Sequence, residues 1–393
     1  MYKALMKSDI IIFLPSAEGG GAERVMITLA NCFTKRGYSV TIIFANAIGP
    51  QLRNISSKVD VINLCSKRLL HAVFPLARCL RRLTPKVALS AMEHANIVLV
   101  LARILSFTYP AVVVSERNTP LQNQACLSML YSRVLAFFIR FFYRRANAIV
   151  AVSESVADDL AAFASLRRDS ICVIYNPFNI HEITQKAKKL PNDEWFINKT
   201  IPVVLGIGRL TKQKDFRTLV AAVAKVQPLI SCRLVLIGEG ELEHDLMKWS
   251  WECGLTQQNF KIIGFQSNPM SFMKHADVFV LPSLWEGLPG VLIEAMACGT
   301  PVVATDCPGG SHEILEGGRF GQLIEPGDSS ALSKAIEWVL KADSLEQSNV
   351  VERAEFFEES KAVDGYLEAM GLPKWNLSSK KQHDDSGVIS CVG

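Results

Sequence analysis

Ser283-Leu-Trp-Glu-Gly-Leu-Pro-Gly-Val-Leu-Ile-Glu-Ala-Met-Ala-Cys-Gly-Thr-Pro-Val-Val303 holds two glutamates, Glu286 and Glu294, eight positions apart. The apolar run Val278–Leu281 just before it reads as a strand. Pro289 and Gly290 then open a helix that Gly299 closes. One carboxylate therefore stands in the loop at the helix mouth, the other about a turn inside, and both face one crevice. Two groups that only accept hydrogen bonds suit a polyhydroxylated ligand, because each can bind a pair of hydroxyls. The backbone N–H groups of Leu288, Gly290 and Val291, around Pro289 at a helix start, suit a phosphate. Sugar, ribose and diphosphate together make a nucleotide sugar.

A second element lies upstream. Gly206-Ile-Gly-Arg209-Leu-Thr-Lys-Gln-Lys214-Asp215-Phe puts Arg209 at a strand end and Lys214 at the start of the next helix. Both cations can converge on the crevice that Glu286 reaches. A departing nucleoside diphosphate gathers negative charge as its glycosidic bond breaks, and fixed cations stabilise that charge. Arg does so through a bidentate fork, Lys as a point charge. Two solvated loop cations remain the plainer reading.

Taken together, these stretches resemble the retaining family 4 glycosyltransferases of the GT-B fold. Glu286 and Glu294 match that family's E-x7-E signature, and Arg209 and Lys214 match its G-R-x-x-x-x-K motif. The resemblance implies that Glu286 contacts donor-sugar hydroxyls, Glu294 the nucleotide ribose, and Arg209 with Lys214 the diphosphate. It also implies that Gly20 and Gly21, in Gly19-Gly-Gly-Ala-Glu-Arg24, approach the donor phosphates and the acceptor, although the same glycines fit an ordinary tight turn. Gly238, after the run Arg233–Ile237, and Phe265, after Lys261–Ile263, resemble turns that frame the nucleotide base, and they too could simply end strands. Thr305-Asp-Cys-Pro-Gly-Gly with Glu313 is nearest to a subgroup that extends lipid-linked bacterial surface glycans. In one respect the chain departs from the family. Where many members have a histidine that touches the donor sugar, this chain reads Ser115-Glu116-Arg117-Asn118. Glu116 or Arg117 then stands in that place, with His94 as a further candidate at the end of the preceding strand.

At 393 residues the chain is too long for one ordinary core, and two domains are expected. Ten cysteines without a C-x-x-C pair and seven histidines without metal-ligand spacing fit a reduced, cytoplasmic setting. No D-x-D carboxylate pair is present to chelate a nucleotide-bound cation, so no metal and no resident cofactor are expected. Residues 1–178 hold 21 Lys and Arg against 10 Asp and Glu, which leaves 21 against 28 in the remainder, a split of +11 and −7. Such asymmetry points to an anionic partner for the first half. No nucleic-acid-binding pattern accompanies it, so an anionic membrane surface is the better partner. Two basic and apolar stretches could meet that surface, 67–86 and 127–145, and the first is favoured. A helix buried against its own sheet is the alternative for both.

Apolar runs alternate with helix-period segments throughout, the pattern of parallel α/β architecture. The expected fold is GT-B: two Rossmann-like doubly wound α/β domains, 1–178 and 200–354, facing a shared cleft. A linker at 179–199, a helix at 355–370 that crosses back to the first domain, and a disordered tail at 371–393 complete it. The expected activity is retaining transfer of a hexosyl or N-acetylhexosaminyl group from a nucleotide sugar, UDP-linked by preference, to a lipid-linked saccharide, peripherally on the inner face of the membrane. A sugar-nucleotide epimerase or an inactive scaffold of the same fold is the alternative. A NAD-dependent enzyme is disfavoured because neither half has the dinucleotide fingerprint. The sugar, the linkage and the oligomeric state are not encoded in any motif.

Overall fold

Buried runs of aliphatic and β-branched residues build two separate parallel sheets. The computed structural model describes residues 7–18, 20–119, 129–342 and 349–374. Gly19, the first two residues of 127–145, and the tail beyond Lys374 lie outside the described residues.

The first sheet has seven strands: β1 (Ile10–Leu14), β2 (Val40–Phe44), β3 (Asp60–Asn63), β4 (Val87–Ala91), β5 (Ala111–Glu116), β6 (Ala148–Ala151) and β7 (Ile171–Val173). Their order is β3-β2-β1-β4-β5-β6-β7, with β1 parallel to both β2 and β4. Five consecutive buried residues in each of β1, β2 and β4 are what a strand covered on both faces requires. The helices Gly21–Lys35 and Glu359–Ala369 supply part of the cover. Met26, Leu29, Ala30 and Phe33 from the former, with Ala362, Val363, Tyr366 and Leu367 from the latter, join one core with β1, β2 and β4. The last helix thus belongs to this unit although the chain reaches it after the second sheet is complete.

The second sheet has six strands: β8 (Val203–Ile207), β9 (Arg233–Ile237), β10 (Phe260–Ile262), β11 (Val278–Leu281), β12 (Val302–Thr305) and β13 (Gln322–Ile324). Their order is β10-β9-β8-β11-β12-β13, all parallel. Two of its helices start where an aspartate satisfies the exposed first N–H groups. Asp215 accepts from Thr218 at the head of Phe216–Val226, and Asp328 accepts from Ser330 and Ala331 at the head of Ser329–Lys341. The segment 180–197 carries two short helices, Ile180–Ala187 and Glu194–Ile197, and packs within this second unit.

In each sheet the strand order reverses once, between β1 and β4 and between β8 and β11. At such a reversal the loops leaving the two carboxyl ends turn to opposite faces and open a crevice, the usual ligand position in this architecture.

The structure corrects one sequence expectation here. Val73, Leu76, Leu80 and Leu83, the apolar stripe of the favoured membrane segment, are buried in the first unit. Their helix, Val73–Leu83, lies against Glu93–Ser106, so its stripe is spent on the protein's own core while Arg81 and Arg82 stay exposed.

Leu367 is fully enclosed in the first core. Leu367→Ala is expected to destabilise that unit by about 2–5 kcal/mol in urea unfolding. A change of less than about 1 kcal/mol would mean that the final helix is not part of this core.

Candidate active site

The loops after β8 and β11 flank the reversal in the second sheet, and they carry the predicted residues. Arg209 follows β8 and is exposed, and among the described residues its guanidinium meets no carboxylate. Lys214 ends the short turn Lys212–Lys214 and points back toward the strand end. Its Nζ lies 2.5 Å from Glu286 Oε1, with only 13% and 8% of the two side chains exposed. The same oxygen accepts from Ser283 Oγ at 2.6 Å. The two loops are tied a second time by Gln213. Its backbone oxygen accepts from Leu284 N at 2.8 Å, and its Nε2 donates to Trp285 O at 2.9 Å.

Helix Gly290–Ala297 begins directly beyond this pair. Its N-cap is Pro289, which offers no side-chain cap, and the first N–H groups of a helix have no carbonyl of their own helix to meet. Leu288, Gly290 and Val291 therefore set the helix mouth beside Glu286. Glu294 lies one turn in and is buried.

Close backbone approach shapes the rest of the loop. Gly309 sits at φ +133°, and a Cβ there would stand 2.5 Å from Glu286 O. Glu286 N in turn donates to Pro308 O at 2.9 Å and Gly310 N to Gly287 O at 2.8 Å, so the two loops lie backbone to backbone. Ser155 Oγ accepts from Gly309 N at 2.9 Å, and Ser155 N donates to Glu313 Oε1 at 3.0 Å. Gly238, at φ +143°, approaches the Gly208 carbonyl so closely that a Cβ would overlap it. Its visible task is to let the β9 loop pack on the β8 loop. Phe265, beyond the end of β10, is 74% exposed.

Sequence reasoning missed Ser283, Gln213 and Ser155. Ser283 could have been read from its i, i+3 spacing to Glu286 across a Pro/Gly loop. The contacts of Gln213 and Ser155 are long-range and leave no local trace. Among the described residues no group of three or more His, Cys, Asp or Glu is placed to hold a metal ion. Burial pushes the Cys307 thiol up to about 11, so the cysteine beside this loop stays protonated and is a poor nucleophile.

In the first unit, Gly20 is the N-cap of Gly21–Lys35 without a side-chain cap, and His94 is exposed, 3.7 Å from Glu93. Glu116 and Arg117, which stand where the family histidine was expected, are buried at the end of β5. Ser90 Oγ donates to Asn96 Oδ1 (2.7 Å), Asn96 Nδ2 to Tyr143 OH (2.8 Å), and Tyr143 OH to Glu116 Oε2 (2.8 Å). Arg117 Nη1 donates to Tyr366 OH at 3.3 Å. Burial first, and the charge of Glu93 second, push Glu116 up to about 8.

The model for group 1 glycosyl transferases matches residues 188–355, and that for glycosyltransferase family 4 matches residues 19–182. The chain belongs to the glycosyltransferases that join these two domains. Among its relatives, the 4-alpha-N-acetylgalactosaminyltransferase of Campylobacter jejuni that acts on N-acetylgalactosamine-N,N'-diacetylbacillosaminyl-diphospho-undecaprenol is 27% identical over 86% of this chain and 91% of its own length. The lipopolysaccharide core biosynthesis glycosyltransferase LpsE of Rhizobium meliloti is 26% identical, covering 89% and 96%. Anabaena HepE, crystallised with UDP and glucose, superposes with a TM-score of 0.77 at 22% identity over 93% of this chain and 99% of its own, which shows the GT-B pair of Rossmann-like domains.

Two outcomes follow from the site. Lys214→Met leaves Glu286 buried without its cation and is expected to cost about 3–5 kcal/mol of stability. The double variant with Glu286→Gln should recover a good part of that loss. Purely additive losses in urea unfolding would mean the pair is not coupled.

Glu116 keeps its proton in the folded protein well above the pH at which the unfolded chain releases it. Its folded pKa is raised from 4.5 to about 8, so stability falls as pH climbs between those values. Glu116→Gln cannot titrate, and its melting temperature should gain on the wild type from about pH 5 to about pH 8. A constant difference across that window would exclude a buried, proton-holding Glu116.

Proposed function

We propose that this glycosyltransferase moves a hexosyl or N-acetylhexosaminyl group, with retention, from a UDP-linked sugar to a lipid-linked saccharide in the assembly of a bacterial surface glycan. The observation that carries the reading is the buried Lys214–Glu286 pair at the β8/β11 reversal, beside an uncapped helix mouth. It joins one cation and one hydroxyl-binding carboxylate at the point where an α/β sheet receives its ligand. The Campylobacter relative, whose acceptor is built on diphospho-undecaprenol, and LpsE of lipopolysaccharide core synthesis support the acceptor class. HepE with bound UDP supports the base.

In this account the diphosphate lies against the Gly290 helix mouth, with Arg209 and Lys214 on its oxygens. Lys214 has three donor hydrogens and can hold Glu286 while it takes a phosphate oxygen. Glu286 then accepts from sugar hydroxyls and Glu294 from the ribose. The acceptor oxygen attacks the anomeric carbon on the face the diphosphate is leaving. The bond from that carbon to the phosphate oxygen breaks, the diphosphate keeps the electron pair, and a phosphate oxygen takes the acceptor's proton. Charge on the departing group is met by fixed protein cations, so the reaction proceeds without a divalent metal. Glu286 positions the sugar and exchanges no proton.

The test incubates the purified chain with a panel of nucleotide sugars, with and without a polyprenyl-diphosphate saccharide, and with EDTA. Transfer and slow donor hydrolysis are expected with UDP-linked sugars, undiminished by EDTA, and with the anomeric configuration kept. Epimerised donor without acceptor, inverted product, or turnover that EDTA abolishes and Mn²⁺ restores would each overturn the corresponding part. Glu294→Ala should weaken UDP binding by about 1.5–3 kcal/mol in titration calorimetry, since it removes charged hydrogen bonds to the ribose.

A further inference from the structure

Helix Met129–Tyr143 has two apolar faces. Leu135, Ile139 and Phe142 share the side packed into the first unit, and Tyr143 is fully enclosed. At 3.6 residues per turn, Leu130, Val134, Phe137, Phe138 and Phe141 share the opposite side. That side faces water, with Leu130 73% and Phe137 63% exposed. Its rings are already ordered against one another: Phe137 stacks on Phe141 at 6.3 Å, and the Arg145 guanidinium covers Phe141 at 3.6 Å. Arg133, Arg140 and Arg144 run as an exposed stripe along one edge of it. The sequence has no Asp or Glu between Glu116 and Glu154.

Further apolar side chains are exposed on neighbouring elements. Helix Glu93–Ser106 packs against both this helix and Val73–Leu83. Phe74, Ile104 and Phe107 are exposed on or next to those two helices, and Arg81 lies 5.8 Å from the Phe107 ring. An exposed apolar helix face of this kind marks a place where something else binds. An apolar face edged by arginines, on a helix with no acidic residue of its own, favours one occupant, the headgroup layer of an anionic bilayer. Aromatic side chains enter the acyl boundary there while arginines reach the lipid phosphates. No helix among the described residues is long and apolar enough to cross a membrane. This one, about 22 Å long by its rise per residue, would lie in the plane.

We propose that helix Met129–Tyr143 is the membrane-docking element of this glycosyltransferase, seated on anionic lipid by its Phe137–Phe141 face and its arginine edge. The inference rests on the membrane-side reading of the function and replaces segment 67–86 as the surface that performs it.

The test is flotation of the full chain with vesicles of phosphatidylcholine alone and of phosphatidylcholine with phosphatidylglycerol, with neither donor nor acceptor present. Failure here is therefore separable from failure of the transfer reaction. The wild type should float with anionic vesicles and not with neutral ones. Phe137→Ser with Phe141→Ser should lower the partition coefficient on the order of tenfold per phenylalanine, with UDP affinity and melting temperature unchanged. Arg133, Arg140 and Arg144 changed together to Gln should remove the preference for anionic lipid. Absent flotation, equal flotation with both vesicles, or a Phe variant that binds like the wild type would overturn the proposal. A wild-type dimer in sedimentation that the Phe variant breaks, without vesicle binding, would assign the face to a second copy instead.

Discussion

An ammonium and a carboxylate buried side by side cannot part without a large desolvation cost, and Lys214 and Glu286 are such a pair. One sits after β8 and the other after β11, so their attraction fastens the two loops that the strand reversal sends apart. Everything else in the second unit's site follows from that fastening. Ser283 and Gln213 keep the β11 loop pressed on its partner, and Gly309 leaves room for the Glu286 backbone. The start of Gly290–Ala297 is thereby fixed where Glu286 can share its ligand. The pair also holds Glu286 as a preset acceptor, which under the proposed function lessens the reorganisation needed to take sugar hydroxyls.

Most of this was legible in the sequence, for a physical reason. A strand covered on both faces needs an unbroken apolar run, and β1, β2, β9 and β11 were readable to the residue from theirs. The placement of Arg209, Lys214 and Glu286 in loops at the ends of β8 and β11 was readable too, because those apolar runs mark where the strands stop. β13 was not readable: Gln322-Leu-Ile is three residues long, lies at the sheet edge and has only partial burial to declare it. Ser155 was hidden too, since its bonds to Gly309 and Glu313 span more than 150 residues of chain.

The basic helices show a different limit. Periodicity reveals that a stripe is apolar, and it is silent on what the stripe faces. Val73–Leu83 and Met129–Tyr143 look alike as strings of Leu, Phe and Arg. The first has one apolar stripe and buries it. The second has enough apolar residues for two, and its packing side takes up only one of them. Counting apolar positions against the arc one neighbour can cover would have separated them.

Tyr143 ends that second helix inside a buried polar chain whose direction is set. Ser90 donates to Asn96, Asn96 to Tyr143, and Tyr143 to Glu116, so every hydrogen bond points toward the carboxyl group. Burial raises Tyr143 well above its usual range, which keeps its proton in place as the donor at the end of the chain. The Tyr143 proton, the long bond from Arg117 N at 3.4 Å and the Arg117 charge do not outweigh the desolvation of a fully enclosed carboxylate, and the Glu93 charge opposes ionisation further. Glu116 is therefore the neutral acid at neutral pH. Arg117 beside it then keeps a positive charge that Glu116 does not cancel, with its Nη1 on Tyr366 and, among the described residues, no partner for its Nη2. At the strand end where the family resemblance leads one to expect a histidine, the structure thus holds a guanidinium next to an acid whose pKa burial raises to about 8.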